Sequence, residues 1–493
     1  MESTPSTPGG VGARRSVRDR IVAQRRARLE REGHAMGAAV PAGRKAPVVR
    51  FGTAPFLVCE VKRRSPSRGD IAPGLDAVAQ ARVYAEHGVR SVSVLTEEDS
   101  FGGSLDDLMR IKQALPGLSL LRKDFLLDEE DVEVSWRAGA DAVLLIASLL
   151  DPGTLGSMHR RARELGMEAL VEVHDAGDAA KCRALAPRLT GVNCRDLATF
   201  SVDLLHPLAL RPRIDWSTRL VFESGIRSPE DVLLARSSGF EGVLVGETAV
   251  RSPDRIPALI AALGAAVPAP GDFWARLCAR MRPGRPLVKV CGITRQADAD
   301  AAVRLGADAL GFVFAPSKRR ASPGLLRNLR GLPVPKVAVV VTDRAGGAAR
   351  LDPEIEELLH DGFIDAVQFH GDEEPSECAS LAFPYYKAVR VRGPGDVRRM
   401  ERFGCPRVLA DAYSAEAAGG TGARVPEELA REAGRARPLW LAGGIGPDNV
   451  GAIMRGLSPE LIDASSRLEE SPGCKDPVKL GRFFEEIRRH GEV

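Results

Sequence analysis

The sequence predicts an α/β protein made of two tandem (β/α)8 barrels of the TIM-barrel class, on three observations. The chain has 493 residues, room for two barrels of roughly 200–250 residues each. Short apolar runs, each closed by a polar residue or Gly, alternate with amphipathic stretches rich in Ala, Leu and Arg, and they do so in two successive blocks. Each block holds eight such runs. Runs apolar on both faces suit parallel strands covered by helices, and a sheet of eight such units can close on itself. A doubly wound open sheet is the alternative the pattern leaves open.

In chain order, residues 1–15 (MESTPSTPGGVGARR) read as a mobile tail rich in Ser, Thr, Pro and Gly. Residues 16–33 place Val17, Ile21, Val22 and Leu29 on one side of a helix that either caps the first barrel's floor or covers its mouth. The first block's strands are FLVCEVK (56–62), SVSVL (91–95), LSLL (118–121), AVLLI (142–146), EALVEV (168–173), LTGVN (189–193), RLVFE (219–223) and GVLV (242–245). The second block's are LVKVC (287–291), ALGFVF (309–314), PKVAVVV (335–341), AVQF (366–369), YYKAV (385–389), RVLAD (407–411), LWLA (439–442) and LIDA (461–464). Residues 266–285 are Pro/Gly-rich at both ends, with a short helix around Trp274 to Met281. They read as a linker between barrels at 16–265 and 286–493.

Hydrophobic residues at 44% and charged residues at 27% are ordinary for a globular chain able to bury two sheets. The 69 basic and 66 acidic side chains leave a formal charge of +3, so no overall field argues for nucleic acid or a membrane and any anion site is local. Eight cysteines occur without a CxxC pair, which argues against structural zinc and a disulfide scaffold. No signal-like stretch or run of about 18 apolar residues occurs, so a cytoplasmic protein is expected.

Active sites of such barrels lie at the C-terminal strand ends. In the first block these ends carry Glu60 and Lys62, Lys123, Glu172, Asn193 with Arg195 just beyond, and Glu223 followed by Ser224 and Gly225. A single Lys or Glu there is as readily a structural ion pair; convergence of several ends favours a site. Glu60 and Lys62, two residues apart, share a strand face. Ser224-Gly225 and Gly246-Glu247 follow the seventh and eighth strands, where these barrels commonly hold phosphate. A Schiff-base role for Lys123 or Lys62 is the alternative chemistry.

In the second block Cys291 ends the first strand and Asp411 the sixth, an acid and base pair across a mouth. Cys291 alone would be read as a small buried hydrophobe. GGTG (419–422) is weak evidence by itself. His370 is as readily a local hydrogen-bonding partner and is left out of the catalytic set.

The ordered motifs CEVKRRSPS, FGGS, LRKDF, LVEVH, VNCRDL, ESGI and VGE make the first block resemble the indole-3-glycerol-phosphate synthase family. The resemblance implies ring closure of an anthranilate-bearing ribulose phosphate to an indole, with loss of carbon dioxide and water. It assigns Lys123 as general acid at the ketone and Glu172 to proton removal and hydroxyl loss. Lys62 with Glu60 would hold the anthranilate carboxylate, while Ser65, Asn193, Arg195 and Glu223 would bind substrate. Ser224, Gly225 and Gly246 would receive phosphate. KVCGIT, GFVFAPSKRRAS, VQFHGDE, VLADAY, GGTG, LAGGIGPDNV and DASS make the second block resemble phosphoribosylanthranilate isomerase. That implies an Amadori rearrangement, with Asp411 protonating the ribose ring oxygen and Cys291 removing the adjacent carbon-bound proton. Arg319 would meet the anthranilate group, and Gly443, Gly444, Ser465 and Ser466 the phosphate. The third strand's VAVVVTD, a loop one residue shorter after the second strand, and Arg467 after DASS depart from the isomerase pattern.

Together the resemblances imply a bifunctional enzyme of consecutive tryptophan-biosynthetic steps, acting on phosphosugar anthranilates without cofactor or metal. A monomer is expected and a dimer left open. The alternative is an active synthase beside a degenerate isomerase-like barrel.

Overall fold

A computed structural model describes residues 17–66, 69–196, 201–265, 272–342, 350–412 and 424–491. The expected tail, the start of the linker and GGTG lie outside these residues. The described residues form two closed parallel barrels of eight strands each. The first comprises β1 (Phe56–Val61), β2 (Ser91–Leu95), β3 (Ser119–Lys123), β4 (Ala142–Ile146), β5 (Glu168–Val173), β6 (Leu189–Asn193), β7 (Arg219–Glu223) and β8 (Gly242–Val245). The second comprises β9 (Leu287–Cys291), β10 (Ala309–Val313), β11 (Lys336–Val340), β12 (Ala366–Phe369), β13 (Tyr385–Val391), β14 (Val408–Ala412), β15 (Trp440–Ala442) and β16 (Leu461–Ala464). In each barrel every strand pairs with its sequence neighbours and the last closes on the first, so the open sheet is ruled out. Contacts divide the chain into two compact units, one holding β1 to β8 and the other β9 to β16. Among the described residues no helix is long and apolar enough to cross a membrane.

Local sequence sets the punctuation. In the first barrel Asp76, Ser104, Asp128, Asp151 and Asp175 each accept a backbone N–H of the helix that follows, ending the βα loop at a defined residue. Alternation along the strands then builds layers. Phe56, Val58, Leu121, Leu144, Leu170, Leu189, Val221 and Leu244 pack together in the first barrel's core. One side-chain step further along the same strands stand Glu60, Lys123, Glu172, Gly191 and Glu223, which makes the top layer polar.

The helix Val17–Glu32 belongs to the mouth of this barrel. Ile21 joins the core with Phe125 and Ile146, and Arg25 reaches Asp131 at 2.6 Å and Asp124, just beyond β3, at 3.9 Å. Arg25 is as buried as Ile21's neighbours, a charged position that hydrophobic periodicity could not flag. The opposite end is closed by the segment before β1: Val49 N–H donates to Asp141 at 2.9 Å, and Phe51 packs edge-on against Phe56 at 6.3 Å.

Behind β3, Arg122 is fully buried and donates to Asp124 (3.0 Å), Thr96 (3.1 Å) and Ser135 (3.1 Å). Burial raises the Asp124 carboxyl, but Arg25 and Arg122 outweigh that and hold it below its usual range. Removing one member leaves a buried charge uncompensated. Arg122→Met is therefore expected to destabilise the first barrel by about 3–5 kcal/mol, read as a lower denaturation midpoint in urea.

The second barrel carries polar groups deeper. Lys289 on β9 contacts Asp463 of β16 at 2.6 Å and donates to Gln368 of β12 at 2.8 Å, and Tyr386 of β13 donates to the same Gln368 oxygen at 2.8 Å. A short hairpin, Glu469–Ser471 with Cys474–Lys475, follows β16 and carries Lys475 back beneath the strand ends.

Candidate active sites

In the first barrel one ammonium lies between two carboxylates. Lys123 Nζ is 3.2 Å from both Glu172 Oε2 and Glu223 Oε2, and Asn193 donates to Glu172 Oε2 at 3.2 Å. Glu60 Oε1 accepts from Lys62 Nζ at 3.2 Å, confirming that these two side chains share a face. Space for the cluster comes from glycine. A Cβ on Gly191 would overlap the Glu223 carboxylate, and one on Gly246 would lie 2.9 Å from Glu60 Oε1 and 3.8 Å from Lys62 Nζ.

The electrostatics separate the two carboxylates. Burial raises Glu172, but Lys123 and His174 overcome it and hold the group well below the usual range. Burial also raises Glu223, the Glu172 charge adds to it, and Lys123 only partly offsets them, so this carboxyl is pushed up to about 8. Burial would lower Lys123, yet Glu172, Glu223 and Glu60 carry it well above its ordinary value. At neutral pH the layer therefore offers an ammonium, a carboxylate and a protonated carboxyl side by side.

His174, two residues beyond Glu172, was not singled out from the sequence. Its Nε2 lies 3.1 Å from Glu172 Oε1, and its Nδ1 is 3.7 Å from Asp178. Burial would lower the imidazole, but the two carboxylates push it up to about 10 from 6.5. A group raised in the folded state contributes stability that is complete below its unfolded pKa and is lost as pH rises through the folded one. His174 is thus expected to support folding fully below about 6.5 and to lose its contribution approaching 10. Ring nitrogen shifts should report an imidazolium at pH 8; a neutral ring there would contradict the assignment.

The remaining expected residues of this barrel sit in its loops. Ser65 is buried in a two-residue ladder opposite Gly69, and Arg195 enters through its backbone N–H, which donates to Asn193 Oδ1 at 3.0 Å. Ser224 and Gly225 both take positive φ, 71° and 79°, an unusual conformation for a serine and one found at functional turns. Gly246 opens the helical turn Glu247–Arg251.

In the second barrel Cys291 and Asp411 stand at the ends of β9 and β14, both almost fully buried. Burial raises the Asp411 carboxyl, with Asp463 adding to the effect against His370 and Lys289. His370, set aside in the sequence, lies on it: Nε2 is 3.3 Å from Asp411 Oδ2, and Nδ1 is 3.1 Å from Gln368 Nε2. Arg319 is held in a fork by Glu469, with Nε at 3.0 Å and Nη2 at 2.8 Å. Gly292, at φ 75°, ties this arginine to the phosphate-side loops, for a Cβ there would lie 3.0 Å from Arg319 Cδ and 3.1 Å from Ser465 Oγ. Sequence reading missed Lys289, Asp463 and Glu469. The two-residue rule that joined Glu60 to Lys62 also places Lys289 beside Cys291 and would have found it.

Gly443 and Gly444 both have positive φ, 92° and 58°, and turn the chain sharply after β15. The Ser465 hydroxyl donates to the Cys291 carbonyl at 3.0 Å, and Ser466 begins a single helical turn. Arg467 is exposed, and its Cβ lies against Gly446, where an added Cβ would be only 2.8 Å away. Among the described residues one group, His34, Asp128 and Asp131, brings possible metal-ligand atoms within 4.8 Å of one another. There Arg25 already supplies a cation to Asp131.

Comparison with known proteins gives two adjacent matches. Residues 19–260 match the family model of indole-3-glycerol phosphate synthase, and residues 288–486 that of N-(5'phosphoribosyl)anthranilate (PRA) isomerase. A solved phosphoribosyl anthranilate isomerase from Thermus thermophilus is 32% identical, the match covering 41% of this chain and 98% of that one with a TM-score of 0.36. The multifunctional tryptophan biosynthesis protein of Schizosaccharomyces pombe is 32% identical over 88% of this chain, which spans 59% of that relative's length. Indole-3-glycerol phosphate synthase of Rhodopirellula baltica is 43% identical over 40% of this chain and 76% of its own length. The chain therefore belongs to the indole-3-glycerol phosphate synthase family through its first barrel and to the PRA isomerase family through its second.

Proposed function

We propose that the chain catalyses two consecutive steps of tryptophan biosynthesis. The second barrel converts N-(5-phosphoribosyl)anthranilate to carboxyphenylamino-deoxyribulose phosphate, and the first cyclises and decarboxylates that product to indole-3-glycerol phosphate. The observation that carries the reading is the pairing of a proton donor with a proton acceptor at the strand ends of each barrel. Asp411, its carboxyl raised by burial, gives its proton to the ribose ring oxygen as the C–O bond opens to an imine. Cys291 then removes the proton on the adjacent carbon, and the resulting enolamine tautomerises to the ketone. Arg319 meets the anthranilate carboxylate, exchanging part of its fork with Glu469 for it.

In the first barrel Lys123 donates to the ketone oxygen while the ring carbon bearing the carboxylate attacks. Carbon dioxide leaves with its bonding electrons returned to the ring; Glu172 takes the proton lost from the sugar-derived carbon and passes it to the departing hydroxyl, which leaves as water. Lys62, held by Glu60, neutralises the substrate carboxylate before it is lost, and Asn193, Glu223, Ser65 and Arg195 hold the substrate. Ser224, Gly225 and Gly246 in one barrel, and Gly443, Gly444, Ser465 and Ser466 in the other, bind phosphate through backbone N–H groups in their turns. Side chains and substrate supply every proton and electron pair of these steps. We further infer a cytoplasmic monomer with the barrels joined through residues 266–285.

The full chain supplied with N-(5-phosphoribosyl)anthranilate should consume its fluorescence and release one carbon dioxide per indole product formed. Loss of substrate without carbon dioxide would sink the synthase half, and an inert substrate the isomerase half.

A further inference from the structure

We infer that Lys289 is the positioning residue that keeps Cys291 available as a thiolate in the second barrel. The inference rests on the isomerase reading, in which Cys291 takes a proton from carbon; only the thiolate can do so. Lys289 lies on the same strand two residues earlier and faces the same interior. It is fully buried, a place where an ammonium is costly unless paired, and its partners are Asp463 at 2.6 Å and Gln368 at 2.8 Å.

Those two partners alone would make Lys289 a structural ion pair. Gly311, on the neighbouring β10, says more. A Cβ at Gly311 would lie 2.7 Å from Cys291 Sγ and 2.9 Å from Lys289 Nζ, so the sulfur and the ammonium converge on one small volume that only a glycine leaves free. The Gly311 position thus brings the cation to the sulfur as well as to the carboxylate.

The other charged groups do less, Lys475 being the second and weaker cation that pulls the thiol down. Lys475, from the hairpin after β16, spends its ammonium on the Cys291 backbone carbonyl at 2.6 Å and on Glu469 at 3.0 Å. Arg319, beyond β10, is held by Glu469, and His370, just beyond β12, by Asp411 of β14. Tyr386 of β13 donates to Gln368. Asp463 of β16 opposes the thiolate: one of its oxygens holds Lys289, and the other, Oδ1, is buried with no hydrogen-bond partner among the described residues. Burial, the largest effect, leaves the Cys291 thiol above its ordinary value with Asp463 adding to the rise, and Lys289 is the foremost group pulling it down. The sulfur is thus poised by a lysine and an aspartate acting with opposite sign.

Opposite signs give the test. The pH dependence of iodoacetamide alkylation at Cys291, read by mass spectrometry of its peptide in the full chain, follows the thiolate fraction. Lys289→Met should slow alkylation at pH 7 by about tenfold or more, since each unit of pKa is a factor of ten in thiolate. Asp463→Asn should speed it and move the midpoint to lower pH. The pH profile of isomerase kcat/KM should move in the same two directions. Wild-type midpoints in both variants would overturn the inference. If Lys289→Met fails to fold, as judged by circular dichroism, Asp463→Asn decides alone, and an unmoved midpoint overturns it. A wild-type chain without isomerase turnover would sink the isomerase reading instead, while alkylation would still report on the pair.

Discussion

Lys123→Met is expected to lower indole-forming turnover by roughly 10²–10⁴-fold while isomerisation proceeds at the wild-type rate. The loss has two parts. The proton donor at the ketone disappears, and so does the cation that lies 3.2 Å from both Glu172 and Glu223. Two buried carboxylates left facing each other must share a proton, so Glu172 no longer serves as an acceptor near neutral pH. Residual activity should therefore rise with pH across a range where the wild type is flat. Lys123→Arg should not rescue it, because a planar guanidinium does not present one compact charge to both carboxylates. Product fluorescence with carboxyphenylamino-deoxyribulose phosphate measures the effect, with isomerisation as the internal control. Retained activity in Lys123→Met would remove the lysine from the chemistry.

Asp411→Asn is the matching experiment in the second barrel, with an expected loss of about 10²–10⁴-fold in isomerisation and none in indole formation. An amide keeps the shape and the contact with His370 but has no acidic proton to give. Burial raises the Asp411 carboxyl, so in the wild type the acid form persists to higher pH than for an ordinary aspartate. Isomerisation in the wild type should decline as pH rises through that raised pKa, because the donor is lost. This limb should be absent from the residual rate of the Asn variant. An unchanged limb would mean that another group supplies the proton.

Much of this was legible beforehand because a barrel repeats one simple instruction. All sixteen strands fall within the runs read from hydropathy or within two residues of them, and nine have the same bounds. Two of the shifts have a common cause. β3 runs on through Arg122 and Lys123, and β13 through Arg390, because the ladder with a neighbouring strand continues where hydropathy stops. The first site was readable because its charged residues sit on alternate positions at strand ends. Others were hidden for physical reasons. Arg25 and Arg122 are buried charges whose partners lie far off in sequence, and Glu469 meets Arg319 only when a hairpin brings it back. Arg467, a departure that sequence could not resolve, lies against Gly446 with its side chain exposed.

Gly191 and Gly311 lend their empty volume to a side chain on an adjacent strand, Glu223 in one barrel and Cys291 with Lys289 in the other. Each such position is the mould of its neighbour's polar side chain. Exchanging a reacting side chain for one of another shape is thus a two-position change: a library that varies residue 291 while 311 stays glycine samples only replacements that fit the present hollow. Varying 291 with 311, or 223 with 191, opens the combinations in which a smaller functional group is supported by a filled neighbour. Productive redesigns of either barrel should emerge as coupled pairs whose single substitutions are each inactive.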